Sequence, residues 1–207
     1  MILIKNMNKK FNEKSIFEDF NLEINSGEFV GIIGKSGKGK TTLLNIIGTL
    51  EEADSGIVKV MGKDIHKKRI KRYLLRHHLG FIFQNYALID NASVNDNLEL
   101  ALKHKKISKK EKMESITLVL EEVGLNNYSK EKVHTLSGGE QQRIAIARLL
   151  LKDPDIILAD EPTGSLDNEN RDIIVSLFKN LYKQGKTIIM VTHDKDLAHH
   201  FSKVIQL

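Results

Sequence analysis

Hydrophobic residues in this chain fall into short blocks at both ends and into helically spaced sets in the middle. Residues 2–4, 22–24, 29–33, 57–61 and 81–83 are apolar, largely β-branched or aromatic, and bounded by turn-forming or charged residues, so they predict strands. Residues 40–47 have the spacing of a buried helix that starts directly in a glycine-rich loop. From about residue 85 to 151 the period changes. Segments 94–102, 109–123 and 138–151 repeat their apolar positions every three or four residues, and strand signals vanish. Strands return at 156–159, after Pro154, and at 187–191, with a helix over 169–182 between them, and KVIQL at 203–207 reads as a last strand. The expected organisation is one domain over 1–207. Residues 1–84 and 152–207 form its α/β core, and 85–151 form a helical insert.

Three strings carry chemistry. Gly34, Lys35, Ser36, Gly37, Lys38, Gly39, Lys40 and Thr41 fit the phosphate-loop pattern G-x-x-x-x-G-K-[ST] without a gap, and Thr42 follows. Glycines let backbone N–H groups converge on phosphate oxygens at a helix N-terminus. Lys40 is expected to reach the β- and γ-phosphates and Thr41 to ligate Mg²⁺. The same string could be a glycine-rich turn capping a helix, but its place between a strand and a helix favours the phosphate loop.

The run IILADE at 156–161 ends an aliphatic strand in two acids. It predicts Asp160 at the carboxyl edge of a parallel sheet, near magnesium through water, and Glu161 as general base. LSGGEQQ at 136–142 contains a capping box, Ser137 with Glu140, opening the helix that follows. A capping box does not explain Gly138 and Gly139 in the first turn, where glycine costs up to about 1 kcal/mol relative to alanine. Bare backbone at a helix N-terminus suits close approach of an anion, which makes this a second phosphate-binding element.

Composition narrows the setting. The 207 residues are 41 % hydrophobic and 29 % charged, which is the balance of a globular domain. With no cysteine, disulfides and thiolate metal sites are excluded. No secretory leader is expected at the N-terminus, and no apolar run reaches the roughly 18–20 residues that span a bilayer. The net charge of +5 is concentrated in residues 63–78 and 103–112. These segments read as solvated helix faces or as surfaces near anionic lipid head groups. Apart from Tyr73 they lack interleaved aromatics, so no nucleic-acid partner is expected.

The three strings together closely resemble the nucleotide-binding subunit of an ATP-binding-cassette (ABC) transporter, over essentially the whole chain. The resemblance implies an α/β fold, a RecA-like P-loop NTPase with a parallel-sheet core, an N-terminal antiparallel β part and an inserted α-helical subdomain. It implies ATP and Mg²⁺ as ligands and a head-to-tail dimer of two copies, with Ser137, Gly138 and Gly139 of one copy facing the ATP held by the other.

By the same resemblance Phe11 stands where an aromatic stacks on adenine, more often tyrosine. Gln84 would touch magnesium and the attacking water, Asp167 would cross the dimer interface, and His193 would hold the γ-phosphate and orient Glu161. The remaining histidines read as surface. The implied partners are membrane permease subunits, met near residues 84–96, with the chain peripheral on the cytoplasmic face of the membrane. FIFQNYALI and ADEPTGSLD are similar to the lipoprotein-, macrolide- and bacteriocin-exporting group, although Ser165 departs from that group's TGNLD. A non-transport ATPase driving a membrane partner in cell-division or wall-hydrolase control is the alternative.

Overall fold

The structure, a computed structural model, describes residues 1–35, 37–164 and 166–207; Ser36 and Ser165 lie outside the described residues. The chain opens with β1 (Ile2–Phe11) and β2 (Lys14–Ile24), an antiparallel pair joined by a tight turn at Asn12. Both strands are far longer than the apolar blocks at 2–4 and 22–24. Charged residues on their exposed face mask the alternation, and a bulge breaks it. Ile2 and Ile4 point inward, but the register shifts before Met7, with Asn6 at φ 48°. The inward set then becomes Met7 and Lys9, because one extra residue on a strand swaps its faces.

There follow β3 (Phe29–Ile33), α1 (Lys40–Ile47), β4 (Ser55–Val60), β5 (Lys63–Asp64), α2 (Lys68–His77) and β6 (Leu79–Ile82). β4 starts two residues earlier than predicted and stops before Met61, which takes φ 51° in the turn. β6 likewise ends at Ile82 and leaves Phe83 outside. The helical part holds α3 (Val94–Leu102), α4 (Lys109–Glu122) and α5 (Gly138–Lys152). Each begins with a serine capping box: Ser93 with Asp96, Ser108 with Glu111, and Ser137 with Glu140. These reciprocal bonds satisfy donors that a helix start leaves orphaned. The chain returns to the body with β7 (Ile156–Asp160), α6 (Asn168–Lys183), β8 (Thr187–Thr192) and β9 (Lys203–Gln206).

The strands form two sheets, an antiparallel one in the order β2-β1-β4-β5 and a parallel one in the order β6-β7-β8-β3-β9. Alternate residues of the parallel strands enter two different cores. Val30, Ile32, Ile156, Leu158, Ile189 and Val191 pack with α1 and the antiparallel sheet. Phe29, Ile157, Ala159, Ile188 and Met190 face α5 and α6, and that second core runs on into α3 and α4. The fold is therefore the α/β class expected: an antiparallel N-terminal part, a parallel core and a helical part.

The two basic segments converge. Arg72, Arg76 and His77 from α2, His104 and Lys105 beyond α3, and Lys152 of α5 line one groove of about 470 Å³ whose lining contains no acid. Lys152 donates to the Leu75 carbonyl at 2.7 Å, and burial pulls its pKa below the ordinary lysine range, helped by the charge of Arg148.

Candidate functional site

Parallel strands finish on one edge of a sheet, so the segments leaving β3, β6, β7 and β8 are gathered by topology alone. The glycine loop follows β3, Gln84 follows β6, Asp160 ends β7 and is followed by Glu161, and His193 follows β8. These residues, with Gly37, Gly39, Lys40, Thr41 and Thr42, line a cavity of about 500 Å³. That size suits a small-molecule ligand. Ile16, Gly164 and Val191 also line it. Ile16 belongs to no motif and is delivered by β2, whose length the apolar pattern hid.

The loop wall is built around backbone geometry. Gly37 and Gly39 have φ of 78° and 85°, which glycine adopts without the Cβ penalty other residues meet. A Cβ on Gly39 would also lie 2.5 Å from Ile16 Cγ2. Gly39 is the N-cap of α1 and brings no side-chain acceptor to the helix start. Lys40 is only 7 % exposed. Its ammonium donates to the carbonyls of Gly34 at 2.8 Å and Lys35 at 3.1 Å. An ammonium has three donors, so these two bonds hold it against the cavity wall and leave one for an anion. Lys35 and Lys38 are exposed, and Ser36 lies outside the described residues.

Two carboxylates line the same cavity. Burial pushes the Asp160 carboxyl above its ordinary range, and the charge of Glu161 adds to the rise. A hydrogen bond with Thr41 and the charge of Lys40 act in the other direction. Thr41, Gln84 and Asp160 offer oxygen donors, the kind a hard divalent cation takes. A carboxyl whose burial disfavours its charge gains from such a neighbour, so the residues fit Mg²⁺.

Glu161 takes φ 46°, a left-handed bend for a residue with a side chain, and donates its N–H to the Val191 carbonyl at 2.9 Å. Its carboxylate Oε1 lies 2.9 Å from His193 Nδ1, the glutamate side chain 14 % exposed and the histidine 66 %. The His193 N–H also reaches Oε2 at 3.4 Å. Substrate side and solvent side are thus joined by one carboxylate–imidazole pair.

Beyond Gly34, Lys35 and Lys38 of the loop, five of the predicted residues do not line this cavity. Ser137, Gly138 and Gly139 start α5, and Ser137 and Gly138 are exposed whereas Gly139 is buried. A Cβ on Gly139 would sit 2.5 Å from Asn170 Oδ1, and one on Gly138 would sit 2.9 Å from Tyr86 Oη. Gly139 therefore has a packing reason within the chain, whereas Gly138 meets only the far end of a flexible tyrosine. Asp167 caps α6, accepting from the Asn170 N–H at 2.9 Å and side-chain amide at 2.8 Å. The backbone N–H of Asn170 is the main reason its carboxyl is held below the usual range. The Asn170 amide thus joins Asp167 to the start of α5. Phe11 lies at the tip of the β1–β2 hairpin, 45 % exposed and in neither core.

Gln84 opens a loop held from two sides. The Arg148 guanidinium of α5 donates to the carbonyls of Ala87 at 2.6 Å and Tyr86 at 3.0 Å. Both residues have positive φ, 49° and 61°. Asn97 of α3, fully buried, accepts from the Ile89 N–H and donates to the carbonyls of Ile89 and Ser93. A buried amide so satisfied locks the loop against the helical part.

The family profile described as ABC transporter matches residues 17–164. The macrolide export ATP-binding/permease protein MacB of Psychrobacter arcticus is 42 % identical over 194 residues, 93 % of this chain and 29 % of the relative. MacB of Pasteurella multocida is 37 % identical and is covered to 33 % of its length, so the chain spans about a third of these relatives. The ABC transporter ATP-binding protein YvrO of Bacillus subtilis is 39 % identical, with 99 % of this chain and 92 % of that one covered. Among solved structures, a dimer of the ATP-binding cassette MJ0796 bound to ADP and Pi superposes with a TM-score of 0.91 at 37 % identity. It covers all of this chain and 94 % of that one. Agreement of this kind, running through both sheets and the helical part alike, leaves one conclusion: the chain belongs to the ABC transporter family and is an ATP-hydrolysing cassette of it.

Proposed function

We propose that the chain is the energy-coupling subunit of an exporter, working as a head-to-tail pair of copies beneath separate permease subunits at the cytoplasmic face of a membrane. The observation that carries the catalytic part is the 2.9 Å pairing of His193 with Glu161 in the cavity that Lys40 also lines. Lys40 and the N–H groups of residues 34–41 bind the phosphates of ATP, and Phe11 stacks on the base. Thr41, Gln84 and Asp160 hold Mg²⁺, which when bound neutralises phosphate charge and polarises the transferred group.

Glu161 takes the proton of the attacking water, and His193 orients that carboxylate. Ser137 and Gly138 at the α5 N-terminus approach the γ-phosphate held by the second copy, with Gly139 shaping the turn behind them and Asp167 at the seam between copies. The α/β core over 1–84 and 152–207 carries the catalytic cavity, and the helical part over 85–151 carries the second phosphate-binding element.

No helix among the described residues is long and apolar enough to cross a membrane. Transport therefore requires another chain or segment. The Tyr86–Ile89 stretch offers it a contact, Ile89 being exposed. Similarity to MacB favours a macrolide-, lipoprotein- or peptide-exporting system. Glu161→Gln is expected to keep ATP binding, lose at least about 100-fold in turnover and accumulate an ATP-bound dimer on a sizing column. Near-normal turnover would refute the assigned base.

A further inference from the structure

The bulge at Asn6 turns Lys9 inward, and Phe11 follows two residues on at the hairpin tip, past a further register shift on each side of Lys9. Lys9 is 6 % exposed. Its ammonium lies 2.8 Å from Glu51 Oε1 and 3.5 Å from Asp54 Oδ1. Asp54 is itself fixed by the Lys10 N–H, which donates to Oδ2 at 2.6 Å. The hydrogen bond with Glu51 raises the Lys9 pKa and outweighs the opposing effect of burial. Position and charge of this ammonium are therefore set by the fold. It lies over the Phe11 ring, 4.7 Å from the centroid, within reach of a cation–π contact.

We infer that Lys9 is a positioning residue for the base of the nucleotide, clamping the Phe11 ring so that its free surface is presented to adenine. This rests on Phe11 being the base platform. An unpacked ring at a hairpin tip would lose rotamer freedom on stacking, and the clamp removes that loss beforehand. Drawing ring electrons toward the cation also lessens the repulsion between stacked π faces. The contribution is specific to the base and does not reach the phosphates.

The test compares ADP with inorganic pyrophosphate, both with Mg²⁺, by titration calorimetry on the full chain. Phe11→Ala is expected to weaken ADP by roughly 5- to 100-fold and leave pyrophosphate unchanged. Lys9→Met is expected to weaken ADP by about 3- to 10-fold, again sparing pyrophosphate, and to add nothing in the Phe11→Ala background. Lys9→Arg, which keeps the cation, should bind ADP like the parent. If Lys9→Met does not fold, Lys9→Gln takes its place, since it retains a donor for Glu51.

Equal losses for ADP and pyrophosphate would reduce Lys9 to a structural ion pair and overturn the inference. So would unchanged ADP affinity in Lys9→Met while Phe11→Ala is weak. An unaltered Phe11→Ala would instead remove the platform itself, and the inference with it.

Discussion

Two helix starts in this molecule are offered as phosphate sites, and they are built in opposite ways. α1 begins at a left-handed glycine with no side chain to cap it, inside a cavity, beside a buried ammonium. α5 begins with Ser137, whose hydroxyl accepts from the Glu140 N–H and donates to Glu140 Oε2 at 2.8 Å. Glu140 in turn accepts from Tyr128 Oη at 2.8 Å, and its carboxyl is held below the usual range, first by the Ser137 backbone N–H. The first site has donors directed at space. The second already pairs two of its N–H groups, those of Ser137 and Glu140, within the capping box. On the proposed reading, a phosphate arriving at α5 would compete with Glu140 for the Ser137 hydroxyl, whereas one arriving at α1 would meet no side-chain cap.

Substitutions at the two starts should separate these designs. The largest effect is expected at Gly39→Ala, where positive φ and the contact with Ile16 combine. Nucleotide affinity of the single chain should fall by roughly 100-fold, and calorimetry showing full binding would remove the contrast altogether.

Next is Gly139→Ala, whose Cβ meets the Asn170 amide. Overpacking of this kind costs about 1–3 kcal/mol, read as a lowered Tm with single-chain nucleotide affinity retained. Asn170→Ser should restore part of the Tm. A loss of nucleotide affinity in the single chain would contradict the division between the two starts.

A smaller effect is expected for Glu140→Gln. The depressed Glu140 pKa contributes stability that is complete above the unfolded value of 4.5 and disappears as pH falls through the folded one. The substitution should flatten the acid limb below that pH in a Tm-versus-pH series, and an unchanged limb would mean the box is not strained by protonation. Smallest is Gly138→Ala, which meets only the far end of Tyr86. Its Tm should shift little, and Tyr86→Phe should abolish what shift there is.

The fold was legible wherever the apolar period was uninterrupted. α1, α3 and β3 have the bounds their spacing predicts, since the apolar positions of each keep one period from end to end. β1 and β2 were read as fragments because Lys5, Glu18 and Asp19 face solvent and a bulge inverts the alternation midway. The cavity followed from motifs because each motif sits at a strand end, and a parallel sheet brings strand ends together without further information.

What could not be read was contact between distant loops. Ile16 in the cavity, Asn170 behind Gly139, and Lys9 over Phe11 depend on register and on packing between elements remote in sequence. The glycines of LSGGEQQ illustrate the limit. Their presence suggested a missing Cβ, but only the structure says that at Gly139 the space is taken up by this chain's own Asn170.

Arg148 has a consequence for kinetics. It stands ten residues along α5 from Gly138, about 15 Å at the helical rise, and grips the loop that begins at Gln84. One helix therefore joins Ser137 and Gly138, the proposed contacts of a second copy's nucleotide, to the loop that opens at Gln84 of the chain's own cavity. In a head-to-tail pair the two helices form a closed circuit, each site reporting its occupancy to the other. Hydrolysis by such a pair should rise more steeply than first order in ATP, with a Hill slope above one even when no membrane protein is present.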